Sequence, residues 1–214
     1  MDKAKKIVFS FLGVLAVILV VVTSTYAFFR GVVNGTGDEV TGQTLEGNDY
    51  NVVATTIYKA NKLIPVSEET VDYAVDKDED NCRDDNNRDV CTLIQIDVSG
   101  GNQALNIYGF VKTKTSSYTT NNVKFKVYAF EDDVYVPVTD AAVVSNVSNG
   151  VVHFTKNSAN YATSIAANDT ETLYVAFWIS EISAPQNADQ DKDLNCVIGF
   201  EGIGGAQVSN SFGV

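Results

Sequence analysis

Beyond residue 90 the chain alternates hydrophobic and polar side chains with a period of two. In TLIQIDV (92–98), Ile94, Ile96 and Val98 fall on one face and Gln95 and Asp97 on the other; in NVKFKVYA (122–129), Val123, Phe125, Val127 and Ala129 face one way and Lys124 and Lys126 the other. Successive side chains of a strand point to opposite sides of its sheet, so each segment reads as a strand with one dry and one wet face. Further strands are expected at 50–58, 104–111, 134–138, 151–155, 172–180 and 196–202, separated by turns such as Ser99-Gly100-Gly101-Asn102. The segment 172–180 (TLYVAFWIS) is the most hydrophobic of them, holds the only tryptophan, Trp178, and should lie centrally. This series predicts an all-β fold, an antiparallel two-sheet sandwich of jelly-roll or Greek-key type, with an immunoglobulin-like sandwich as the alternative. Helix signals are weak after residue 30, and no helical interlude is expected.

The other pattern is at the start. Residues 7–29 (IVFSFLGVLAVILVVVTSTYAFF) contain no charge, follow Lys3, Lys5 and Lys6, and end at Arg30. About 20 apolar residues suffice for a helix to cross a bilayer, so an N-terminal hydrophobic helix is expected, with its lysine end inside. The same stretch has the three regions of a secretory signal, with Thr25-Tyr26-Ala27 placing cleavage between Ala27 and Phe28. Residues 1–27 are therefore read as a signal peptide or a membrane-anchor helix, and either reading exports the remainder. Residues 28–49, rich in Gly, Thr and Asn, read as a flexible arm, and 50–214 as one domain with an acidic insertion at 68–91.

Charge narrows the partners. The chain has 15 basic and 27 acidic residues; setting aside the leader's three lysines and Asp2 leaves 12 against 26, net −14. Nucleic acid and anionic membrane surfaces are poor partners for such a body. Ten of the acids lie in 68–89 against Lys77, Arg83 and Arg88, and this segment reads as a solvated hairpin insertion outside the core. Asp76, Asp78 and Asp80 have the alternating spacing that opens a calcium loop, but Asn81 and Asn87 stand where the turn glycine and closing glutamate belong. Asp189, Asp191 and Asp193 repeat the spacing. Calcium is the one metal these two series suggest, and they remain weak candidates for it.

Three cysteines in an exported chain leave one over. Cys82 and Cys91 bracket a short polar loop and are the natural disulfide pair; Cys196 is then a free thiol facing the core. The only histidine, His153, reads as a surface strand residue. Zinc hydrolysis needs about three side-chain ligands and a base, and a nucleophilic triad could recruit His153 alone, so no catalytic residue is assigned and no cofactor is expected.

The leader ending Thr-Tyr-Ala-Phe-Phe, the Val/Thr-rich acidic body, the segment 172–181 and the segment 187–200 (NADQDKDLNCVIGF) together resemble the camelysin and TasA-type exported proteins of Gram-positive bacteria. The likeness is strongest in the leader and the last third. It implies a jelly-roll subunit, released by a dedicated signal peptidase, that builds extracellular fibres by lending its N-terminal strand to a neighbour; Phe28, Phe29, Val32 and Val33 would be that donor. The Cys82–Cys91 insertion departs from the better-known members. Self-association, or contact with other surface proteins, is the partnership implied, at the cell surface or outside the cell, with the membrane added if the leader is retained. Two other functions compete with this structural one: a calcium- or glycan-binding surface module, and a camelysin-like metalloprotease, which the single histidine disfavours.

Overall fold

The structure is a computed structural model, in which residues 51–76, 82–102, 104–184, 186, 192–202 and 207–213 are described. The leader and arm, with the cleavage residues Ala27 and Phe28 and the donor residues Phe29, Val32 and Val33, lie outside them, as do Asp78, Asp80, Asp189 and Asp191.

The described residues form an all-β fold with one helix. In order, the elements are β1 (Asn51–Tyr58), α1 (Glu68–Val75), β2 (Thr92–Ser99), β3 (Leu105–Ser116), β4 (Val123–Glu131), β5 (Val134–Pro137), β6 (Ala142–Val143), β7 (Val151–His153), β8 (Thr155–Lys156), β9 (Ala159–Asn160), β10 (Ala162–Ile165), β11 (Thr170–Ile179), β12 (Leu194–Gly202) and β13 (Gln207–Gly213). The larger sheet runs β1-β2-β11-β4-β5, with β6 also on β4; the second runs β10-β3-β12-β13, with β7 also on β3; β8 and β9 form a small ribbon. Every pairing between these strands is antiparallel, and an isolated parallel bridge joins Val66 to Ser180. The Trp178 strand, β11, is the middle strand of its sheet, as its hydrophobicity predicts.

One core lies where the inner faces meet. From the larger sheet come Ile94, Ile96, Val98, Phe125, Val127, Leu173, Val175, Phe177 and Ile179; from the second come Ile107, Val111, Cys196, Ile198 and Phe200. β2, β4, β11 and β12 feed this core with every second residue, as a strand's period demands. Two strand glycines make room for rings: a Cβ on Gly109 would lie 2.2 Å from Phe154, and one on Gly199 would lie 2.3 Å from Phe110.

The structure corrects the sequence reading in four places. Residues 68–75 form a helix, and 66–91 close a second hydrophobic cluster in which Val66, Val71, Ala74, Val75, Cys82, Val90 and Cys91 cover Leu93, Tyr128, Ala176 and Trp178. The acidic insertion is therefore a roof over the outer face of the larger sheet, not a solvated hairpin. Lys126, assigned to the wet face, is 6% exposed because that roof covers it. The expected strand at 151–155 is broken into β7 and β8, and 104–111 extends to Ser116. The chain does not end its strands at β12, since β13 pairs along β12 from Asn195↔Gly213 to Glu201↔Gln207.

Candidate functional site

The outer face of the larger sheet is where the chain departs from a plain pair of sheets, and its two halves differ. The covered half is built from Ser67 onward. Ser67 accepts a hydrogen bond from the Thr70 backbone N–H at 3.3 Å and caps α1, whose first turn carries Glu68 and Glu69 where the helix dipole favours carboxylates. Val71, Ala74 and Val75, at helical spacing, turn the buried side down onto the sheet. The Cys82–Cys91 disulfide closes the roof, and Cys82 takes a φ of 64° to make the turn. Beyond it, Asp84 accepts from the backbone N–H groups of Asn86 and Arg88, both at 2.9 Å, and from Arg88 Nε at 2.7 Å. Burial works against the charge on Asp84, but these bonds hold its carboxyl below the usual range. A second anchor joins the roof to β1: the Tyr58 hydroxyl donates to Asp89, Arg83 Nε donates to that hydroxyl at 2.7 Å, and Asp89 also accepts from the Asn61 N–H at 2.7 Å.

Under the roof Lys126 Nζ donates to Glu68 Oε1 at 2.7 Å and to both Asp72 oxygens at 2.9 and 3.0 Å, while the Tyr128 hydroxyl donates to Asp72 Oδ1 at 2.8 Å. Burial alone would lower the Lys126 pKa; the hydrogen bonds and charges of Glu68 and Asp72 raise it instead, and the ammonium form is held. Tyr128 is pushed strongly upward by burial and by the Asp72 charge beside it. This is an ion-pair clamp between helix and strand. A protonated lysine on two carboxylates is neither a nucleophile nor a base.

The open half begins where the roof stops. On β11, β4 and β5, Tyr174, Phe130 and Tyr135 form an aromatic cluster: Phe130 and Tyr135 have centroids 4.9 Å apart, Tyr135 and Tyr174 4.9 Å apart at 87°, and Phe130 and Tyr174 6.3 Å apart. Phe130 is 47% exposed. The hairpin that delivers Phe130 and Tyr135 turns through Asp132 and Asp133, both with positive φ, which suits the right-handed twist of its strands. Beside the cluster, Gln95 pairs with Tyr174, and Asp97 with Thr172, across β2 and β11. Gln95 Nε2 donates to both Asp97 oxygens at 3.0 Å, and Thr172 Oγ1 donates to Asp97 Oδ1 at 2.7 Å. Burial raises the Tyr174 hydroxyl pKa with help from the Asp97 charge; burial likewise raises Tyr135, followed by Tyr174 and Asp76.

The residues singled out in the sequence are placed as follows. Asp76 stands at the C-terminal end of α1 and accepts from the Tyr135 backbone N–H at 3.0 Å, a structural tie between roof and hairpin. Asp193 exchanges hydrogen bonds with Ser117, its own N–H donating to the Ser117 hydroxyl at 2.7 Å. Among the described residues no three potential metal ligands gather. Cys196 is buried in the main core as a free thiol, and burial pushes its pKa up to about 12. His153 has a partner that its sequence neighbours do not reveal: its Nε2 lies 3.1 Å from Glu201 Oε1, across β7 and β12, with both side chains partly exposed.

The sequence reading missed the Lys126 clamp and the aromatic face. The clamp had a local signal in Ser67, the two following glutamates and the 71, 74, 75 spacing; the aromatic face had one in Phe130-Glu-Asp-Asp-Val-Tyr135, a hairpin sequence with a ring on each side of its turn.

Among the described residues the larger sheet ends in β1, which pairs with β2 and follows the arm in the chain. Val53 and Ile57 on it are each 40% exposed. No helix among the described residues is long and apolar enough to cross a membrane. Compared with known protein families and with curated protein sequences, the chain matches none.

Proposed function

We propose that this is an exported structural protein of the cell surface or extracellular matrix, a two-sheet jelly-roll or Greek-key sandwich whose copies assemble by strand donation. The observation that carries the reading is the edge strand β1. Among the described residues it is hydrogen-bonded in its sheet to β2 alone, with β13 lying near it, it exposes Val53 and Ile57, and it begins where the 28–49 arm ends. An edge strand presents a row of backbone N–H and C=O groups that an extended segment of another chain satisfies, with alternate side chains filling the adjoining groove. Phe28, Phe29, Val32 and Val33 supply such a segment once the leader is removed between Ala27 and Phe28. The disulfide in the roof suits an oxidising compartment, and the resemblance to camelysin and TasA-type proteins points the same way.

Assembly is tested by deleting residues 28–36 from the processed protein. Electron microscopy of the intact protein should show fibres, and the deletion should abolish them; fibres of unchanged length from the deleted protein would overturn strand donation. N-terminal sequencing of protein recovered from the culture supernatant and from the membrane fraction should begin at Phe28 in the supernatant.

A further inference from the structure

The open half of the larger sheet's outer face is a second surface, separate from the β1 edge, and its chemistry selects a ligand. It crosses β2, β11, β4 and β5, so at about 4.8 Å between strands it spans roughly 14 Å. One end is hydrogen-bonding and the other is aromatic. Asp97 is held by two side chains on the same face, Gln95 two residues earlier on β2 through two bonds and its cross-strand neighbour Thr172 through one, so its carboxylate keeps one orientation and remains an acceptor for groups arriving from solution. Phe130 presents a half-exposed ring, propped at 4.9 Å by Tyr135.

Flat aromatic rings with negative faces attract C–H groups, and fixed carboxylate and amide groups pair with hydroxyls. A chain of sugar rings offers both, C–H groups on its flat faces and hydroxyls along its edges. Charge decides among sugars and other partners. The chain's net charge of −12 and the carboxylate of Asp97 at the β2 end of the face repel polyuronates, nucleic acids and anionic lipid. A second copy docked by two-fold symmetry through the same patch would set like-charged bodies and their Asp97 side chains against each other. Among the described residues the roof's cations are already held by carboxylates: Lys126 beneath it by Glu68 and Asp72, Arg83 by Asp89 and Arg88 by Asp84.

The geometry points to a binding platform for an uncharged polysaccharide, with Phe130 as the stacking residue, backed by the half-buried Tyr135 and Tyr174, and Asp97, oriented by Gln95 and Thr172, as the hydroxyl acceptor. This does not rest on fibre assembly. A matrix protein that lays neutral glycan on its sheet face would join the polymer and protein parts of a matrix, but the platform is complete in a single chain.

The probe is native gel electrophoresis of the processed protein through gels containing a soluble neutral β-glucan, a soluble N-acetylglucosamine polymer, or a polyuronate. At least one neutral polymer should retard the protein and the polyuronate should not. Phe130→Ala should weaken the retardation about tenfold in apparent Kd, with Phe130→Tyr restoring it, and Asp97→Asn should weaken it with Tm unchanged. The 28–36 deletion should bind as the intact protein does, so loss of fibres and loss of glycan binding are separate results. Failure of every neutral polymer to retard the protein overturns the platform, as does unchanged retardation of Phe130→Ala. Sedimentation showing a dimer that Phe130→Ala dissociates would assign the face to a second copy instead.

Discussion

Lys126 Nζ lies 2.9 Å from Asp72 Oδ1, and the two residues are 54 positions apart in the chain. The lysine is on the sheet and the aspartate on the helix above it, so the contact fixes how the roof sits. The two partners are unequal: the Lys126 side chain is 8% exposed and that of Asp72 34%.

That inequality predicts an asymmetry between the two halves of the pair. Lys126→Met keeps most of the buried stem and leaves Glu68 and Asp72 able to rehydrate, so it should cost about 1 kcal/mol or less. Asp72→Ala strips the buried ammonium of two of its three hydrogen bonds and leaves the Tyr128 hydroxyl without its acceptor, and should cost about 2–4 kcal/mol. Urea unfolding of both variants decides it; equal losses would mean that the lysine is hydrated in the folded state.

The pH dependence follows from the same group. Lys126 has its folded pKa raised, so its contribution is fully present below the unfolded lysine value and is lost as pH rises through the folded one. Tyr128, also raised, acts in the same direction: the unfolded chain ionises its phenol first, binds fewer protons than the folded chain, and stability falls with pH. Tm should therefore hold steady to about pH 10, near the unfolded tyrosine and lysine values, and decline above it, with a shallower decline in Lys126→Met. A Tm series from pH 8 to 11.5 measures both slopes.

How much of this was legible in the sequence depended on the range of the contact. Ile94, Ile96 and Val98 declared their face through a period of two, because a strand's side-chain alternation is local. Lys124 and Lys126 carried the same signal and were misleading. Both occupy the outer face, but only tertiary packing decides that α1 covers one of them. The helix was hidden by counting charge across 68–89 as a whole. Within it, Val71, Ala74 and Val75 keep the helical spacing, and the acids Glu68, Glu69 and Asp72 serve the cap, the dipole and the clamp. The His153–Glu201 pair, 48 positions apart, had no local signal at all.

Reducing the Cys82–Cys91 disulfide should loosen the roof before the sheets. The bridge closes a loop with a sequence separation of 9, for which chain entropy gives about 2.5 kcal/mol. Trp178, the only tryptophan, shares the cluster with both cysteines and lies under the roof, so its emission responds to loosening of the roof even while the sheets stay intact. Under reductant, or in Cys82→Ser/Cys91→Ser, its emission should shift to the red while far-UV circular dichroism of the strands persists. Simultaneous loss of both signals would show that roof and sheets unfold as one unit.

Cys196 should be inert while the protein is folded. Its thiol sits in the main core with its pKa pushed up to about 12 by burial, and the thiolate is the reactive species. Iodoacetamide at pH 8 should leave it unlabelled in native protein and modify it fully in 6 M guanidinium, read by intact mass; rapid labelling of the native protein would place the thiol at the surface.

Trp178 itself gives the last prediction. Its residue is fully buried, and its indole N–H has no hydrogen-bond acceptor among the described residues. A buried donor left unpaired costs about 1–3 kcal/mol, while the ring around it contributes packing. Trp178→Phe removes the donor and keeps most of the ring, so the two effects oppose each other and the change should fall within about 1 kcal/mol of the wild type. Trp178→Ala removes the ring as well, opening a cavity beneath Val71 and Ala74, and should cost about 3–5 kcal/mol. Guanidinium unfolding followed by circular dichroism compares the two; a loss in Trp178→Phe as large as that in Trp178→Ala would show that the N–H is paired and that the roof packs on it.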